Sequence, residues 1–178
     1  MLELKEIYKS YDGKPLLSGI SFRVAQNETV CLLGASGSGK STLLRIIAGL
    51  EKPESGDVLW EGQSLESTSV HERNFGLVFQ DYALFPHLDV AGNVAFGLRM
   101  KKVPQKAIDA RVQTLLKSVN LAGFGSRRVT DLSGGEQQRV ALARAMAPSP
   151  RLWMFDEPLG ALDQSLKETL LDELRLIL

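Results

Sequence analysis

The chain of 178 residues is short of several things, and each shortage excludes something. It has one cysteine, Cys31, so no disulfide closes within it and no multi-cysteine zinc site is available. Such usage suits a reducing compartment. Net charge is missing too, since 21 Lys and Arg balance 21 Asp and Glu. Without a basic surplus, general binding to nucleic acid or to a membrane surface is not expected. No apolar run approaches the roughly 18–20 residues that cross a bilayer, so the chain is expected to be soluble. Met1 to Tyr11 alternates charged with apolar residues and reads as neither a signal nor a transit peptide. Internal repeats, low-complexity tracts and long Pro/Gly/Ser linkers are absent.

What is present is a 44% apolar fraction, enough for one sizeable core. The length fits one domain with a possible subdomain. Leu2 to Leu4 and Ile20 to Val24 alternate as half-buried strands do. Val30 to Leu33 is wholly apolar, which predicts a strand covered on both faces. A glycine-rich turn follows, then a helix over Lys40 to Ala48 stopped by Gly49. Asp57 to Trp60, Phe75 to Phe79 and Leu152 to Phe155 read as further strands. Ile108, Val112, Leu115, Leu116 and Val119 fall at helical spacing. Gly134 to Ala147 predicts another helix, ended by Pro148 and Pro150. A last helix is expected from Gln164 to Leu178. Strands alternating with helices make this an α/β chain.

The chemistry begins with Gly34-Ala35-Ser36-Gly37-Ser38-Gly39-Lys40-Ser41, a full match to the phosphate-binding Walker A loop, with Thr42 next. Glycines let the backbone curl so that successive N–H groups point at phosphate oxygens. The helix that follows turns its positive end to the same anion. Lys40 supplies a mobile charge, and the Ser41 hydroxyl is a hard ligand for Mg²⁺. A chance match in a chain of this length arises about once in 150. Leu152 to Phe155 runs into Asp156 and Glu157, an apolar strand ending in two carboxylates. Asp156 is a candidate Mg²⁺ ligand and Glu157 a candidate base for the attacking water.

Leu132-Ser133-Gly134-Gly135-Glu136-Gln137-Gln138-Arg139 resembles the LSGGQ signature of ABC ATPases. A capped helix explains Ser133 but not two glycines in a first turn, where they weaken the helix. Nearly the whole chain is similar to ABC transporter ATPase subunits. That resemblance implies ATP and Mg²⁺ as cofactors and a P-loop NTPase core. The core has a mixed or parallel sheet, an antiparallel N-terminal part and an inserted helical lobe. The core is then expected over about residues 1–85 and 148–178, and the lobe over about 86–147, in one domain. It further implies that Tyr11 stacks on adenine and that Gln80 senses Mg²⁺ and the γ-phosphate. Ser133, Gly134, Gly135 and Gln137 would contact nucleotide held by the opposite subunit of a homodimer or pseudo-dimer. Leu162-Asp163 resembles the loop that crosses that dimer interface, with Gly160 where a serine-type residue is commoner.

Gln80 to Leu88 and Asn93 to Leu98 look like the ATPases of bacterial solute importers for ferric iron, polyamines, sulfate, thiamine or sugars. The resemblance implies that the Gln80–Leu98 region receives transmembrane permease subunits, with a solute-binding protein as an indirect partner and no nucleic acid. The chain would then sit peripherally on the cytoplasmic face of the cell membrane. Glu136 departs from the commoner signature and also occurs in exporter-type relatives. The family also carries a histidine past the second carboxylate, about 30 residues on, and the final core strands. This chain reaches Leu178 without either, and His71 and His87 lie upstream. The expectation is therefore a chain incomplete at its C-terminus, slow in turnover and marginally stable. A nucleotide-binding module with little or no turnover stays open as the alternative to a working ATPase. Other P-loop classes fit less well: kinases and GTPases have no use for Leu132 to Arg139, and chromosome or repair relatives insert coiled coils or zinc modules.

Overall fold

The computed structural model describes residues 1–156. The chain divides into two compact units, Met1–Phe75 and Gly76–Leu178.

In the first unit, β1 (Leu2–Tyr11) and β2 (Lys14–Val24) form an antiparallel hairpin. Its turn is Asp12-Gly13, both with positive φ (50° and 74°), the backbone that matches the twist of a two-residue hairpin. β3 (Ser55–Trp60) pairs on the other side of β1, and β4 (Gln63–Ser64) completes the order β2-β1-β3-β4. Because β1 is flanked on both sides, Leu2, Leu4 and Ile7 are buried. The alternation expected at Leu2 to Leu4 breaks at Glu3, which is buried as well. An ion pair makes that possible: the Glu3 carboxylate accepts from Arg23 Nε at 2.8 Å and lies 2.7 Å from its Nη2.

Helix α1 (Lys40–Ala48) has the bounds its spacing predicts, with Leu43, Ile46, Ile47 and Ala48 buried and Gly49 as C-cap. Helix α2 (Val70–Arg73) is one turn, opened by a capping box between Ser69 and Glu72. Arg73 is buried and donates to the carbonyls of Ile46, Ile47, Leu65 and Thr68. It thereby takes up the Ile47 carbonyl at the end of α1 and shares the Ile46 carbonyl with Gly49 N.

One expectation is overturned here. Val30 to Leu33 has no regular secondary structure, and Val30 and Leu33 are 41% and 90% exposed. A short apolar run becomes a strand only when a neighbour supplies a hydrogen-bond ladder, and among the described residues no strand pairs with it.

The second unit begins within β5 (Phe75–Val78), which pairs with β6 (Leu152–Phe155) in a two-stranded sheet. Around Val90, Val94, Leu98, Ile108, Val112, Leu115 and Val140 lies its apolar core. These residues come from α3 (Val90–Met100), α4 (Gln105–Ser118) and α5 (Gly134–Met146), and α3 packs on both of the others. Asp89 starts α3 by accepting from Gly92 N at 2.6 Å. The helical spacing seen from Ile108 to Leu116 is the buried face of α4. Glu157, Leu162-Asp163 and the helix expected from Gln164 to Leu178 lie outside the described residues.

Candidate functional site

The glycine-rich loop enters α1 without a side-chain cap: Gly39 is the N-cap, and no acidic residue sits in the first turn. Gly37 and Gly39 have φ of 77° and 90°. A Cβ on Gly39 would come within 2.7 Å of Leu17 Cδ2, so both the backbone angle and the packing require glycine there. Ala35, Ser36, Gly37 and Ser38 are exposed, and Ser38 N donates to the Ala35 carbonyl at 3.2 Å. Lys40 folds back over the loop, its Nζ donating to the Gly34 and Ala35 carbonyls at 3.0 Å each. The ammonium thus sits at the loop's own mouth, on carbonyls that a phosphate oxygen can replace as its partner. Ser41 and Thr42, both half-buried, follow in the first turn of α1.

Tyr11, 47% exposed at the end of β1, belongs to the same unit. Its hydroxyl donates to Glu51 and also bonds the Thr42 side chain, which joins the tyrosine to the helix that carries Lys40. The hydrogen bond to Glu51 holds the Tyr11 phenol above its ordinary pKa and the Glu51 carboxyl below its own. Lys9 lies 5.4 Å over the Tyr11 ring and 3.0 Å from Glu51. Glu51 carries no motif, and only its place beside Tyr11 reveals it.

In the second unit, Asp156 N donates to the Val78 carbonyl at 2.9 Å. That bond joins the C-terminal ends of β5 and β6, as in a parallel pair. Gln80 and Asp156 therefore leave neighbouring strands at the same end, where an open α/β sheet keeps its ligands. Gln80 is exposed, whereas Asp156 is 5% exposed.

Signature residues open α5. Ser133 is the N-cap, and Glu136 closes a capping box: its carboxylate accepts from Ser133 N at 2.7 Å and from Ser133 Oγ at 2.8 Å. Those two bonds, backbone first, hold the Glu136 carboxyl below its ordinary pKa. The pattern Ser-x-x-Glu was the signal for this box. Gln137 turns inward, its Nε2 donating to the carbonyls of Val129 and Leu132 at 3.1 and 3.2 Å. Gly134 is exposed, has no positive φ, and an added Cβ there would meet nothing within 4 Å. Gly135 follows it, half-buried.

Asn93 opens a stretch that carries the family resemblance, but nothing local in the sequence reveals its structural role. It is fully buried, accepts from Phe85 N at 2.8 Å and donates to the carbonyls of Phe85, Leu88 and Asp89. It fixes the segment between Gln80 and α3. Among the described residues no three His, Cys, Asp or Glu side chains gather as a metal cluster.

The sequence pattern of the ABC transporter family matches residues 17–160. The Fe(3+) ions import ATP-binding protein FbpC of Streptomyces avermitilis is 54% identical over 175 residues, 98% of this chain and 51% of that protein. The spermidine/putrescine import ATP-binding protein PotA of Mesoplasma florum is 47% identical, over 98% of this chain and 50% of that protein. The chain spans about half the length of the curated relatives it matches. Among solved structures, the dimeric ATP-binding cassette MJ0796 bound to ADP and Pi superposes with a TM-score of 0.88 at 33% identity. That match covers 98% of this chain and 81% of the cassette. No described helix is long and apolar enough to cross a membrane. With the P-loop NTPase fold of these cassettes and the family's pattern over most of its length, the chain belongs to the ABC transporter family, as an ATP-binding domain.

Proposed function

We propose that this chain binds and hydrolyses ATP to power solute import through an ABC transporter. The observation that carries the proposal is the loop before α1. It is exposed and uncapped by any side chain, and the Lys40 ammonium is parked on its carbonyls. Such a loop has an anion's worth of N–H groups and charge at one point. Lys40 turns from the Gly34 and Ala35 carbonyls to the β- and γ-phosphates, while the loop amides from Gly34 to Gly39 orient the chain of phosphates. Tyr11 stacks on adenine, its hydroxyl tied down by Glu51 and Thr42.

The donors we assign to a metal are the Ser41 hydroxyl, the Gln80 amide oxygen and the Asp156 carboxylate, as the family resemblance implies. An all-oxygen set without thiolate or imidazole fits Mg²⁺. When bound, Mg²⁺ supplies positive charge to the phosphate oxygens. Glu157 orients the attacking water and takes its proton, and Gln80 senses the metal and the γ-phosphate.

The active form is a head-to-tail dimer in which Ser133, Gly134 and Gly135 face nucleotide held by the other subunit, while Gln137, expected there from the resemblance, turns inward and braces the turn before them through the Val129 and Leu132 carbonyls. Gly134 supports this reading: the described residues leave room there for a side chain, and a glycine at an open helix start lets a ligand approach the backbone closely. We further propose one nucleotide-binding domain, with a core over about 1–85 and 148–178 and a helical lobe over about 86–147. Permease subunits dock on the Gln80–Leu98 region, which places the chain peripherally at the cytoplasmic face of the membrane.

The test is steady-state phosphate release from the chain, with Glu157→Gln as control. The variant is expected to lose about 10²–10⁴-fold in turnover, the usual worth of a general base. Release that is absent from wild type, or indifferent to Glu157→Gln, would overturn the hydrolytic reading.

A further inference from the structure

The turn after Gln80 is strained, and one side chain holds it. Tyr82 and Ala83 both take left-handed φ, 61° and 44°, a region that residues with a Cβ rarely enter and here occupy in succession. The two carbonyls of that turn accept from one guanidinium: Arg144 Nη2 donates to Tyr82 O at 2.7 Å and Nη1 to Ala83 O at 2.6 Å. The same group lies over the Phe85 ring at 5.3 Å, and the Asp81 carboxylate attracts it. Arg144 stands in the last turn of α5, the helix whose first turn is the signature. Around it, Tyr82 and Leu84 pack against the cluster of Val78, Ala141 and Ala145, so the turn has a floor from both α5 and β5.

Only a planar fork matches this arrangement. Arginine presents rigidly spaced N–H groups to two neighbouring carbonyls, whereas lysine offers one mobile point charge. A left-handed pair of non-glycine residues persists only while its surroundings over-determine it; Tyr82 N donates to the Phe79 carbonyl at 3.0 Å, and the Arg144 fork takes the two carbonyls of the pair.

We propose that Arg144 is a positioning residue: by clamping the Tyr82-Ala83 turn to α5, it makes the placement of Gln80 depend on the signature helix. The inference rests on the hydrolytic reading given above. Ser133 at one end of α5 faces nucleotide across the dimer, and Arg144 at the other end fixes the segment that leads back to Gln80. A shift of α5 on nucleotide engagement is thereby passed to the glutamine that senses metal and γ-phosphate, without any contact between Arg144 and the nucleotide.

The experiment compares wild type with Arg144→Lys by backbone amide exchange and by ATP turnover on the whole chain. Arg144→Lys should speed exchange about tenfold over residues 82–85 and leave α4 unchanged, as loss of a charged fork on two carbonyls implies. Turnover should fall about tenfold while KM for ATP moves less than about twofold, because Lys40 and the phosphate loop are untouched. Adding Ala83→Gly, which takes left-handed φ without a Cβ penalty, should restore part of the turnover lost. Equal exchange at 82–85 in the two proteins would overturn the proposal. So would exchange that rises evenly across α3, α4 and α5, since that marks general packing. If wild type releases no phosphate, the hydrolytic reading fails, and the exchange comparison still decides whether Arg144 holds the turn.

Discussion

Two helices in this chain begin with glycines, and they begin differently. α1 starts from Gly39 with no side-chain cap and no acid in its first turn. α5 starts from Ser133, whose hydroxyl and amide are both engaged by Glu136. Gly39 is demanded by its own unit, through its φ of 90° and the Leu17 side chain against it. Gly134 is not demanded by anything within 4 Å. The first helix start has no side-chain cap, as the phosphate site proposed there requires. The second carries its own cap, and among the described residues nothing fills the space beside Gly134. Two glycine-rich anion motifs that look alike as strings are therefore different devices.

The largest expected effect tests whether the second start serves another subunit. Ser133→Arg should weaken ATP-driven dimerisation about a thousandfold, because a symmetric dimer carries the change at both composite sites. ATP affinity of the monomer should stay within about twofold. An equal loss in the monomer, measured by calorimetry beside analytical ultracentrifugation, would place Ser133 in its own subunit's site and erase the contrast.

Lys40→Ala strikes the first start. Loss of one charge-assisted contact to phosphate is worth about 3 kcal/mol, or about a hundredfold in ATP affinity by calorimetry. Circular dichroism should show the fold intact, since the Lys40 ammonium lies on the carbonyls of the exposed loop and not in the apolar core.

The glycines sharpen the comparison further. Gly39→Ala should cost about 2–4 kcal/mol in chemical denaturation, from left-handed backbone and from overpacking against Leu17. Gly134→Ala should leave stability unchanged or raise it, within about 1 kcal/mol, since alanine is the better helix former. It should nevertheless weaken the ATP-driven dimer, and an unaffected dimer would remove the argument drawn from the empty space around Gly134.

The smallest effect is in acid. The folded Glu136 carboxyl titrates below its ordinary value of 4.5, held by the Ser133 amide and hydroxyl. A lowered folded pKa means that the box contributes fully above the unfolded value and fades as pH falls through the folded one. Wild type should therefore melt at or above Glu136→Gln near neutrality, and the margin should vanish in moderate acid. A margin independent of pH would show that the charge of Glu136 does not matter to the box.

Much of this was legible in the sequence where local chemistry decides. Lys40 to Ala48 with Gly49, the cap at Ser133 and the buried face from Ile108 to Leu116 follow from capping and period alone. Val30 to Leu33 was not legible, because an apolar run states that it would be buried as a strand but not that a ladder partner is in place. Glu3 was misplaced for a related reason: its burial depends on Arg23, set opposite by the hairpin register. The clamp of Arg144 on Tyr82 and Ala83 spans 62 and 61 positions, and no periodicity carries such a message. Family resemblance located Gln80 but was silent on what holds it.

Arg73 has one more consequence. By bonding Ile46 and Ile47 it stitches the carbonyl end of α1 to the chain around α2, while the amide end runs into uncapped loop. A helix pinned at one end frays from the other, so warming should unzip α1 from Lys40 toward Ala48. The loop that must fit a nucleotide is then also the first part of its unit to lose shape. On the proposed reading a bound triphosphate would supply the cap that the loop leaves out, and the melting curve would become a readout of occupancy.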